Sequence, residues 1–323
     1  MKIILRITIL SVAMALGSCS DDYSAFQLPL FYSEKGVHFE SADETDMKAC
    51  GTAVDADKLY IANEAQSRVE IFNRTTGAYI GSFAPNMQCR YVSVTDSVIL
   101  VTGIKAPQCQ VSIYNRNTHE YIGRLGNGQW SGPLSHTICA TASDKYFFTR
   151  DQGSIIKVFD RSKLKANASL GVHARLKIDD QQVYNTDHYS MAVADGMLYA
   201  VNMKNRTIYQ YDVTHIAEGA ELSYRQKTEF PQGATPRSIA VSDKYVYISG
   251  WSSGKAAIYG YLRATFARAD ISKPYFTVGL ADGEPFNDAY YLSAEGSSVY
   301  LTQDLKTVLQ LSVKENYADV VKP

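Results

Sequence analysis

Two arginines and two tryptophans are the residues of this sequence best suited to hold a ligand. Arg90 and Arg237 each stand four residues before the end of a short apolar segment. A guanidinium group can bind a carboxylate or a phosphate with paired hydrogen bonds. Trp130 and Trp251 lie in glycine-flanked segments, where a flat aromatic face suits a sugar ring or an apolar peptide side chain. The alternatives are an arginine paired with a neighbouring carboxylate and a tryptophan that fills a gap beneath its own loop.

The cysteines after residue 19 give a weaker pattern. They are Cys50, Cys89, Cys109 and Cys139, an even number that permits disulfides in an exported protein. Cys89 and Cys109 fall in one predicted repeat unit, so we expect a Cys89–Cys109 bridge. Cys139 lies inside a predicted strand and is expected to be a buried free thiol.

The histidines offer one arrangement with possible chemistry. His136 and His188 precede the first strands of neighbouring repeats, and with Asp151 they form a candidate metal or acid–base site. Isolated histidines in loops are more often solvated. No Cys-x-x-Cys pattern occurs, so neither a zinc ribbon nor a redox motif is supported. We therefore expect no cofactor and no metal.

A repeated strand pattern positions all of these residues. Residues 193–211 read as an apolar strand, a tight turn carrying Asp195-Gly196, a second strand, a polar loop and a third strand. The first strand of each unit ends at Val54, Val94, Ala142, Val193, Val241 and Ala294, with gaps of 40, 48, 51, 48 and 53 residues. A large apolar residue follows six positions later: Tyr60, Leu100, Phe148, Tyr199, Tyr247 and Tyr300. This period predicts an all-β fold, a six-bladed β-propeller of four-stranded antiparallel blades over residues 37–323.

One unit carries a resemblance to a known family. Within residues 52–72, the strings Thr-Ala-Val-Asp, Leu-Tyr-Ile-Ala-Asn and Arg-Val-Glu-Ile-Phe resemble an NHL-type repeat. Residues 50–313 as a whole resemble the NHL/TolB-like six-bladed propellers. The resemblance implies the architecture, but propellers serve as enzymes, binding modules and scaffolds alike.

The expected mouth of the propeller is where the first strands begin and the second strands end. Counting back four residues from each first-strand end gives Cys50, Arg90, Ile138, Tyr189, Arg237 and Tyr290. Counting nine forward gives Asn63, Gly103, Asp151, Asn202, Gly250 and Gln303. Arg90 and Arg237 belong to repeats three apart, so we expect them to face each other across the channel. The predicted ligand-binding residues are Arg90, Arg237, Trp130, Trp251, Tyr189, Tyr290 and Asn202.

The N-terminus reads as an export signal. Lys2 and Arg6 precede an apolar run over residues 7–16, and Leu-Gly-Ser-Cys19 resembles a bacterial lipobox. The run is too short to span a bilayer core of ~30 Å. We expect residues 1–18 to be a lipoprotein signal peptide and Cys19 to be the lipidated end of a tether over residues 19–36. Two aspartates at 21–22 resemble the export signal of surface lipoproteins in Bacteroidota, and surface or periplasmic exposure stays open.

The net charge limits the possible partners, and the order of the strands limits how the ring can close. Removal of residues 1–18 shifts the formal net charge from −1 to −3, which argues against nucleic acid as a partner. We expect a monomer that meets the outer membrane only through its lipid. A propeller must also close its ring, and either residues 37–39 or residues 317–321 supply the last strand. The N-terminal segment is preferred because it staples both ends together.

These expectations combine into a lipid-anchored binding or interaction module that presents a glycan, peptide or protein site at the propeller mouth. The alternative is a metal-dependent hydrolase or lyase of the gluconolactonase or streptogramin-lyase kind. That resemblance implies a carboxylate and asparagines at second-strand ends around a divalent cation, and it is matched in part by Asn63, Glu64, Asp151 and Asn202. A third reading is a structural subunit of an outer-membrane uptake assembly.

Overall fold

The described part of the chain forms mostly antiparallel sheets arranged as the six blades of a propeller. The computed structural model describes residues 30–39, 47–105, 108–126, 139–150, 155–178, 189–230, 234–252, 255–266, 274–280, 286, 291–303 and 305–313. The predicted signal peptide and most of the predicted tether lie outside these ranges. The predicted fold class is confirmed.

Each blade has four strands, of which the first lies beside the channel and the fourth at the outer rim. Blade 1 comprises β2 (Ala49–Asp55), β3 (Lys58–Asn63), β4 (Arg68–Asn73) and β5 (Tyr79–Phe83), and blade 2 comprises β6 (Gln88–Val94), β7 (Val98–Lys105), β8 (Gln108–Asn115) and β9 (Tyr121–Leu125). Blade 3 comprises β10 (Cys139–Ala142), β11 (Tyr146–Arg150), β12 (Ile155–Asp160) and β14 (Ala174–Lys177), and blade 4 comprises β15 (Tyr189–Ala194), β16 (Met197–Asn202), β17 (Thr207–Asp212) and β19 (Gln226–Glu229). Blade 5 comprises β20 (Ala234–Val241), β21 (Tyr245–Ser252), β22 (Lys255–Leu262) and β23 (Phe276–Leu280). Blade 6 comprises β24 (Leu292–Glu295), β25 (Ser298–Gln303), β26 (Thr307–Val313) and β1 (Leu30–Phe39).

The first strands of the blades form the inner wall of the ring. They contact one another in the order β2, β6, β10, β15, β20, β24 and back to β2. Each starts beside the end of its second strand, as in the pairs Ala49–Asn63 and Tyr189–Asn202. The predicted mouth therefore exists as one face of the ring. The inner turn of blade 4 has φ of 53° at Asp195 and 72° at Gly196, the paired positive values of a tight hairpin turn.

Large apolar residues of the second strands pack between blades. The six predicted core positions are all buried, with exposures between 0% and 3%: Tyr60, Leu100, Phe148, Tyr199, Tyr247 and Tyr300. Amphipathic tyrosine rings fill the space between twisted sheets, where β-branched and aromatic residues are favoured. Four of these six residues are tyrosines, in a chain that contains 23.

The N-terminal strand β1 closes the ring, as preferred from the sequence. It pairs antiparallel with β26, from Ser33–Val313 to Phe39–Val308. The strand is longer than expected and begins at Leu30, inside the predicted tether. Its first residues pair in parallel with β23, so blades 5 and 6 form one continuous sheet of eight strands. The predicted alternative, residues 317–321, lies outside the described residues.

Added parallel strands also cover the outer edges of blades 2 and 3. β13 (Ala168–Leu170) pairs with β9, and β18 (Glu221–Leu222) pairs with β14. Each added strand follows the third strand of the next blade along the chain. Covering an edge removes the unpaired backbone groups through which sheets aggregate.

Arginines placed directly after third strands link neighbouring blades at the face opposite the mouth. Each binds a carboxylate in the inner turn of the preceding blade, and the pairs are Arg74–Glu295, Arg116–Asp55, Arg161–Asp96 and Arg263–Asp195. Three of these arginines also donate to a carbonyl in the inner turn of their own blade, namely Asp96, Ser143 and Ser242. We call these four residues the interblade arginines. They join blades 6 and 1, blades 1 and 2, blades 2 and 3, and blades 4 and 5.

Candidate functional site

Three first strands carry a β-bulge at the mouth, and each bulge falls on a predicted mouth residue. In β2 the register shifts between Ala49 and Gly51, so Cys50 is the extra residue. The shift in β6 makes Arg90 the extra residue, and the shift in β20 does the same for Arg237. A bulge bends its strand and re-aims the side chain, and bulges occur often beside binding sites. Arg90 and Arg237 therefore both stand where the regular alternation of their strands is interrupted.

A glycine on the facing strand makes room for the bulge at Arg90. Gly103 pairs with Cys89, and a Cβ on Gly103 would lie 2.5 Å from the Gln88 carbonyl oxygen. Any side chain there would push the first strand away. Gly103 is one of the second-strand ends counted from the sequence. Its physical role is to accept the close approach of the bulged backbone.

Arg90 joins a cluster of charged groups at the mouth between blades 1 and 2. Its Nη2 lies 3.3 Å from Glu64 Oε1, and Lys48 Nζ lies 2.6 Å from Glu64 Oε2. The Cys50 thiol donates to the same carboxylate at 3.3 Å. Glu64 is nearly buried, whereas half of Lys48 and 39% of the Arg90 side chain are exposed. Arg90 therefore pairs with a neighbouring carboxylate, which was the alternative to a ligand-binding role.

The protonation states of this cluster follow from its geometry. Burial alone would raise the pKa of Glu64, but the bonds from Lys48 and Cys50 and the charge of Arg90 outweigh it and lower the pKa. Burial and the adjacent Glu64 charge raise the pKa of Cys50 to about 12. The cluster thus holds one carboxylate between two cations, and its thiol is protonated and a poor nucleophile at neutral pH.

Arg237 and Trp251 form the second group at the mouth, in blade 5. The Arg237 guanidinium carbon lies 5.3 Å from the centroid of the Trp251 ring. Trp251 is half-buried and packs against the core between blades 5 and 6, which fixes its ring. A guanidinium stacked on an aromatic face is held flat, with its donors directed sideways. This pair can bind an acidic group beside an apolar surface.

A layer of hydroxyl groups links four blades across the channel below the mouth. The Tyr91 hydroxyl of blade 2 lies 3.5 Å from Ser190 Oγ of blade 4, and Ser238 Oγ of blade 5 donates to Ser190 Oγ at 3.2 Å. Ser238 Oγ in turn accepts from the Leu292 backbone N–H of blade 6 at 3.0 Å. The Tyr91 ring packs edge-on against Tyr291, with centroids 6.2 Å apart. Polar contacts therefore hold the inner wall together beneath the two arginines.

Asn202 has a structural role that the sequence did not suggest. It is buried, and its side-chain oxygen accepts from the Asn205 backbone N–H at 3.2 Å. Asn63, at the same position in blade 1, accepts from Gln66 N–H at 3.3 Å and donates to Glu70 at 3.3 Å. Both side chains hold the turn between second and third strands. Binding of a ligand by Asn202 stays a prediction.

Several predicted site residues lie outside the described part of the chain. Trp130, Tyr290, Asp151 and both histidines of the candidate metal site fall in such gaps, as does Cys19. The backbone of Tyr189 starts β15 at the mouth, but its side chain is also outside the description. Among the described residues, no group of three or more His, Cys, Asp or Glu side chains is placed to hold a metal ion.

The predicted Cys89–Cys109 disulfide is not formed. Cys89 is a buried free thiol, with Sγ 3.5 Å from the Met87 carbonyl oxygen. Its strand β6 and the strand β8 that contains Cys109 are separated by β7, so their backbones lie about 9.5 Å apart, beyond the ~7 Å limit for a disulfide. Cys50 and Cys139 are also buried free thiols, as predicted for Cys139.

A depression lies on the face opposite the mouth, between blades 3 and 4. It has a volume of about 440 Å³ and includes Lys145, Asp195, Thr214 and Arg263. Asp195 is already bound by Arg263 at 2.7 Å, and Lys145 Nζ donates to the Thr214 carbonyl oxygen at 3.1 Å. Its polar groups therefore serve interblade contacts, and the mouth is the better candidate site.

Comparisons with known proteins support the fold and nothing finer. No protein-family model and no curated protein matches the chain. The β-propeller domain of Cps50 (Swd1) from Myceliophteria thermophila is similar in structure, with a TM-score of 0.51, 10% sequence identity and 82% of each chain covered. The computationally designed protein Ika8 has a TM-score of 0.47 and 9% identity over 89% of this chain and 100% of its own. The first similarity shows the propeller fold alone. No described helix is long and apolar enough to cross a membrane.

Proposed function

We propose that this protein is a lipid-anchored binding module of the NHL/TolB-like propeller type, which presents a ligand site at its mouth. The observation that carries the proposal is the Arg237–Trp251 pair, a guanidinium stacked at 5.3 Å on a ring that the core holds in place. Arg237 is the extra residue of a β-bulge at the mouth, and the hydroxyl layer lies below it.

The ligand class follows from the same residues. Arg237 supplies donors for a carboxylate, sulfate or phosphate, and Trp251 supplies a flat face for a sugar ring or an apolar side chain. Arg90, which binds Glu64, stands in the blade opposite. An acidic glycan or peptide of modest size fits this arrangement, with Arg237 as the main anchor.

The binding test uses the soluble chain of residues 20–323, so that Cys19 and its lipid are absent. A glycan array that includes uronic and sulfated sugars, followed by calorimetry on any hit, identifies the ligand. Loss of a hydrogen bond to a charged group costs about 1.5–3 kcal/mol, so Arg237→Ala lowers affinity about ten- to a hundred-fold. Trp251→Ala weakens binding through the lost ring face. Unchanged binding by Arg237→Ala would remove the basis of the proposal.

Controls separate binding from folding. Arg175→Ala removes an exposed arginine from β14, far from the mouth, and should leave affinity unchanged. Arg237→Lys keeps the charge but loses the flat fork, and we expect an intermediate affinity. Thermal melting of each variant shows whether Trp251→Ala merely loosens the core.

The anchor and its location belong to the same proposal. The lipobox-like residues ending at Cys19 support lipidation, and the two aspartates that follow support display at the cell surface. Mass spectrometry of the mature N-terminus tests for a lipid on Cys19. Protease treatment of intact cells then distinguishes surface display from a periplasmic location. A chain that begins at Met1, or one released from membranes by salt, would argue against the anchor.

The hydrolase or lyase alternative gains no support from the described geometry. Asn63 and Asn202 use their side-chain oxygens to hold turns, and Glu64 lies between two cations. Asp151 lies outside the described residues. A structural subunit of an uptake assembly remains compatible with the fold, and a failed ligand screen would favour it.

A further inference from the structure

The outer edge of blade 1 differs from the equivalent edge of blade 2, although the two hairpins are near copies in sequence. β5 begins Tyr-Ile-Gly at residue 79, and β9 begins Tyr-Ile-Gly at residue 121. β9 is covered by β13, whereas β5 is the last strand of its sheet in the part of the chain that the structure describes. The same motif thus occurs once with a covering strand and once without.

The glycines of the two motifs show what the cover needs. A Cβ on Gly123 would lie 2.7 Å from the Ala168 carbonyl oxygen, so only glycine allows β13 to approach. A Cβ on Gly81 would meet nothing within 4 Å. Gly81 therefore leaves the same space for a covering strand, and no described residue occupies that space.

The apolar residue before each glycine repeats the contrast. Ile122 is partly buried and packs against the core between blades 2 and 3, as do Leu164 and Ala168 of the covering segment. Ile80 is 51% exposed, whereas the tyrosines that begin the two motifs do not differ, with Tyr79 41% and Tyr121 45% exposed. Unlike many edge strands, β5 has no Lys or Pro to discourage pairing with another strand.

The neighbouring blade cannot supply the missing cover. In blades 2 and 3 the cover comes from the segment after the third strand of the next blade. For β5 this segment is residues 116–120, a tight turn between β8 and β9. Its Asn115 side-chain oxygen accepts from the backbone N–H groups of Asn117 and Thr118, which closes the turn on itself. Among the described residues, nothing covers β5 because this connection is short.

We propose that β5 is a docking edge for an extended segment of a partner protein, which adds to blade 1 as a parallel strand. The in-chain covers define the chemistry of that segment. Every cover described here runs parallel to the edge it pairs with. By analogy with Ala168 over Gly123 and Leu170 over Leu125, the partner places a small residue over Gly81 and an aliphatic one over Phe83. This rim surface is separate from the mouth.

The chain itself provides the probe. A labelled peptide copying residues 164–172 (Leu-Lys-Ala-Asn-Ala-Ser-Leu-Gly-Val) carries the cover sequence and is titrated against the soluble chain of residues 20–323. We expect saturable binding that Gly81→Val weakens at least tenfold, because a β-branched side chain blocks the approach. Valine suits an exposed strand, so the variant should fold. Gly171→Val is the matched control, since a Cβ there also meets nothing within 4 Å.

Four results would overturn the proposal. The first is no saturable binding, and the second is equal affinity for the wild type and Gly81→Val. The third is binding that appears only after removal of residues 314–323, which makes the chain's own tail the occupant. The fourth is a dimer by light scattering that Gly81→Val dissociates, which makes a second copy the occupant.

Discussion

Arg161 is the least exposed of the interblade arginines, and its replacement tests what holds the ring together. Only 14% of the side chain is exposed. Nη1 donates to the Ser143 carbonyl oxygen at 2.9 Å in its own blade. Nη2 reaches Thr95 Oγ1 at 3.4 Å and also binds Ser97 Oγ, both in blade 2. The guanidinium lies 5.7 Å from the Phe147 ring centroid. One side chain therefore joins two blades through several bonds.

The expected loss follows from those contacts. Three net hydrogen bonds contribute about 0.5–1.5 kcal/mol each, and the stacking on Phe147 adds about 0.5–1 kcal/mol. The ion pair with Asp96 adds little, because that carboxylate is 79% exposed. Arg161→Ala should therefore lower the free energy of unfolding by about 2–5.5 kcal/mol. Urea denaturation at pH 7, followed by intrinsic fluorescence, measures it.

Two further variants decide the cause. Arg161→Lys keeps the charge but cannot reach both blades with one planar fork, so it should lose most of the same stability. Lys163→Ala removes an interblade ion pair to Glu218 in which both side chains are more than half exposed, and should change nothing measurable. A stable Arg161→Lys, or equal losses for Arg161→Ala and Lys163→Ala, would refute the hydrogen-bond explanation.

Three other predictions concern closure, pH and thiols. Phe39 of β1 is fully buried against Phe72 and Tyr300, so Phe39→Ala should lower the free energy of unfolding by about 3–5 kcal/mol. Deletion of residues 20–40 should sharply lower the melting temperature. A truncated chain that melts like the parent rules out this closure. The hydrogen bond from Arg263 lowers the pKa of Asp195, so this stabilisation is present above about pH 4 and is lost as pH falls through the lowered value. The difference between the denaturation midpoints of wild type and Arg263→Ala should therefore narrow in acid to what the Ser242 bond contributes, and a constant difference contradicts this. Burial raises the pKa of Cys89 to about 12, so a thiol reagent at pH 7 should label Cys89 only in denaturant. Rapid labelling of Cys89 in the native protein would be inconsistent with a buried thiol.

The repeat made the architecture predictable, because each blade must bury the same positions. A large apolar residue six positions after each first-strand end was enough to place the six buried second-strand residues. The N-terminal closure also followed from a general need, since an open last blade leaves an unpaired edge. Local pattern and global fold agree at these positions.

The bulges could not be predicted, because they depend on how two strands meet. A strict alternation of side chains assumes an unbroken register, and the extra residues at Cys50, Arg90 and Arg237 break it. The disulfide prediction failed for a related reason. Cys89 and Cys109 are near each other in sequence and in one blade, but β7 lies between their strands.

The interblade arginines did leave a signal in the sequence. Arg74 and Arg116 each follow the asparagine that ends a third strand, in the two near-copy hairpins. Their acidic partners stand at the inner turns of the preceding blade, more than sixty residues away in one case and at the other end of the chain in another. Only the closed ring brings these groups together, so the repeated arginine was visible while its partner was not.

The closing strand also sets an order of events for folding. Ser33 pairs with Val313, so β1 depends on a strand that is made after the other five blades. A chain that emerges from its N-terminus cannot complete the ring until blade 6 is free, and contacts of such long sequence separation form slowly. Until then β23 and β26 both lack their shared neighbour, and two sheet edges stay open to wrong partners. The contact that gives the finished ring its closure therefore leaves the folding chain vulnerable to aggregation until the end.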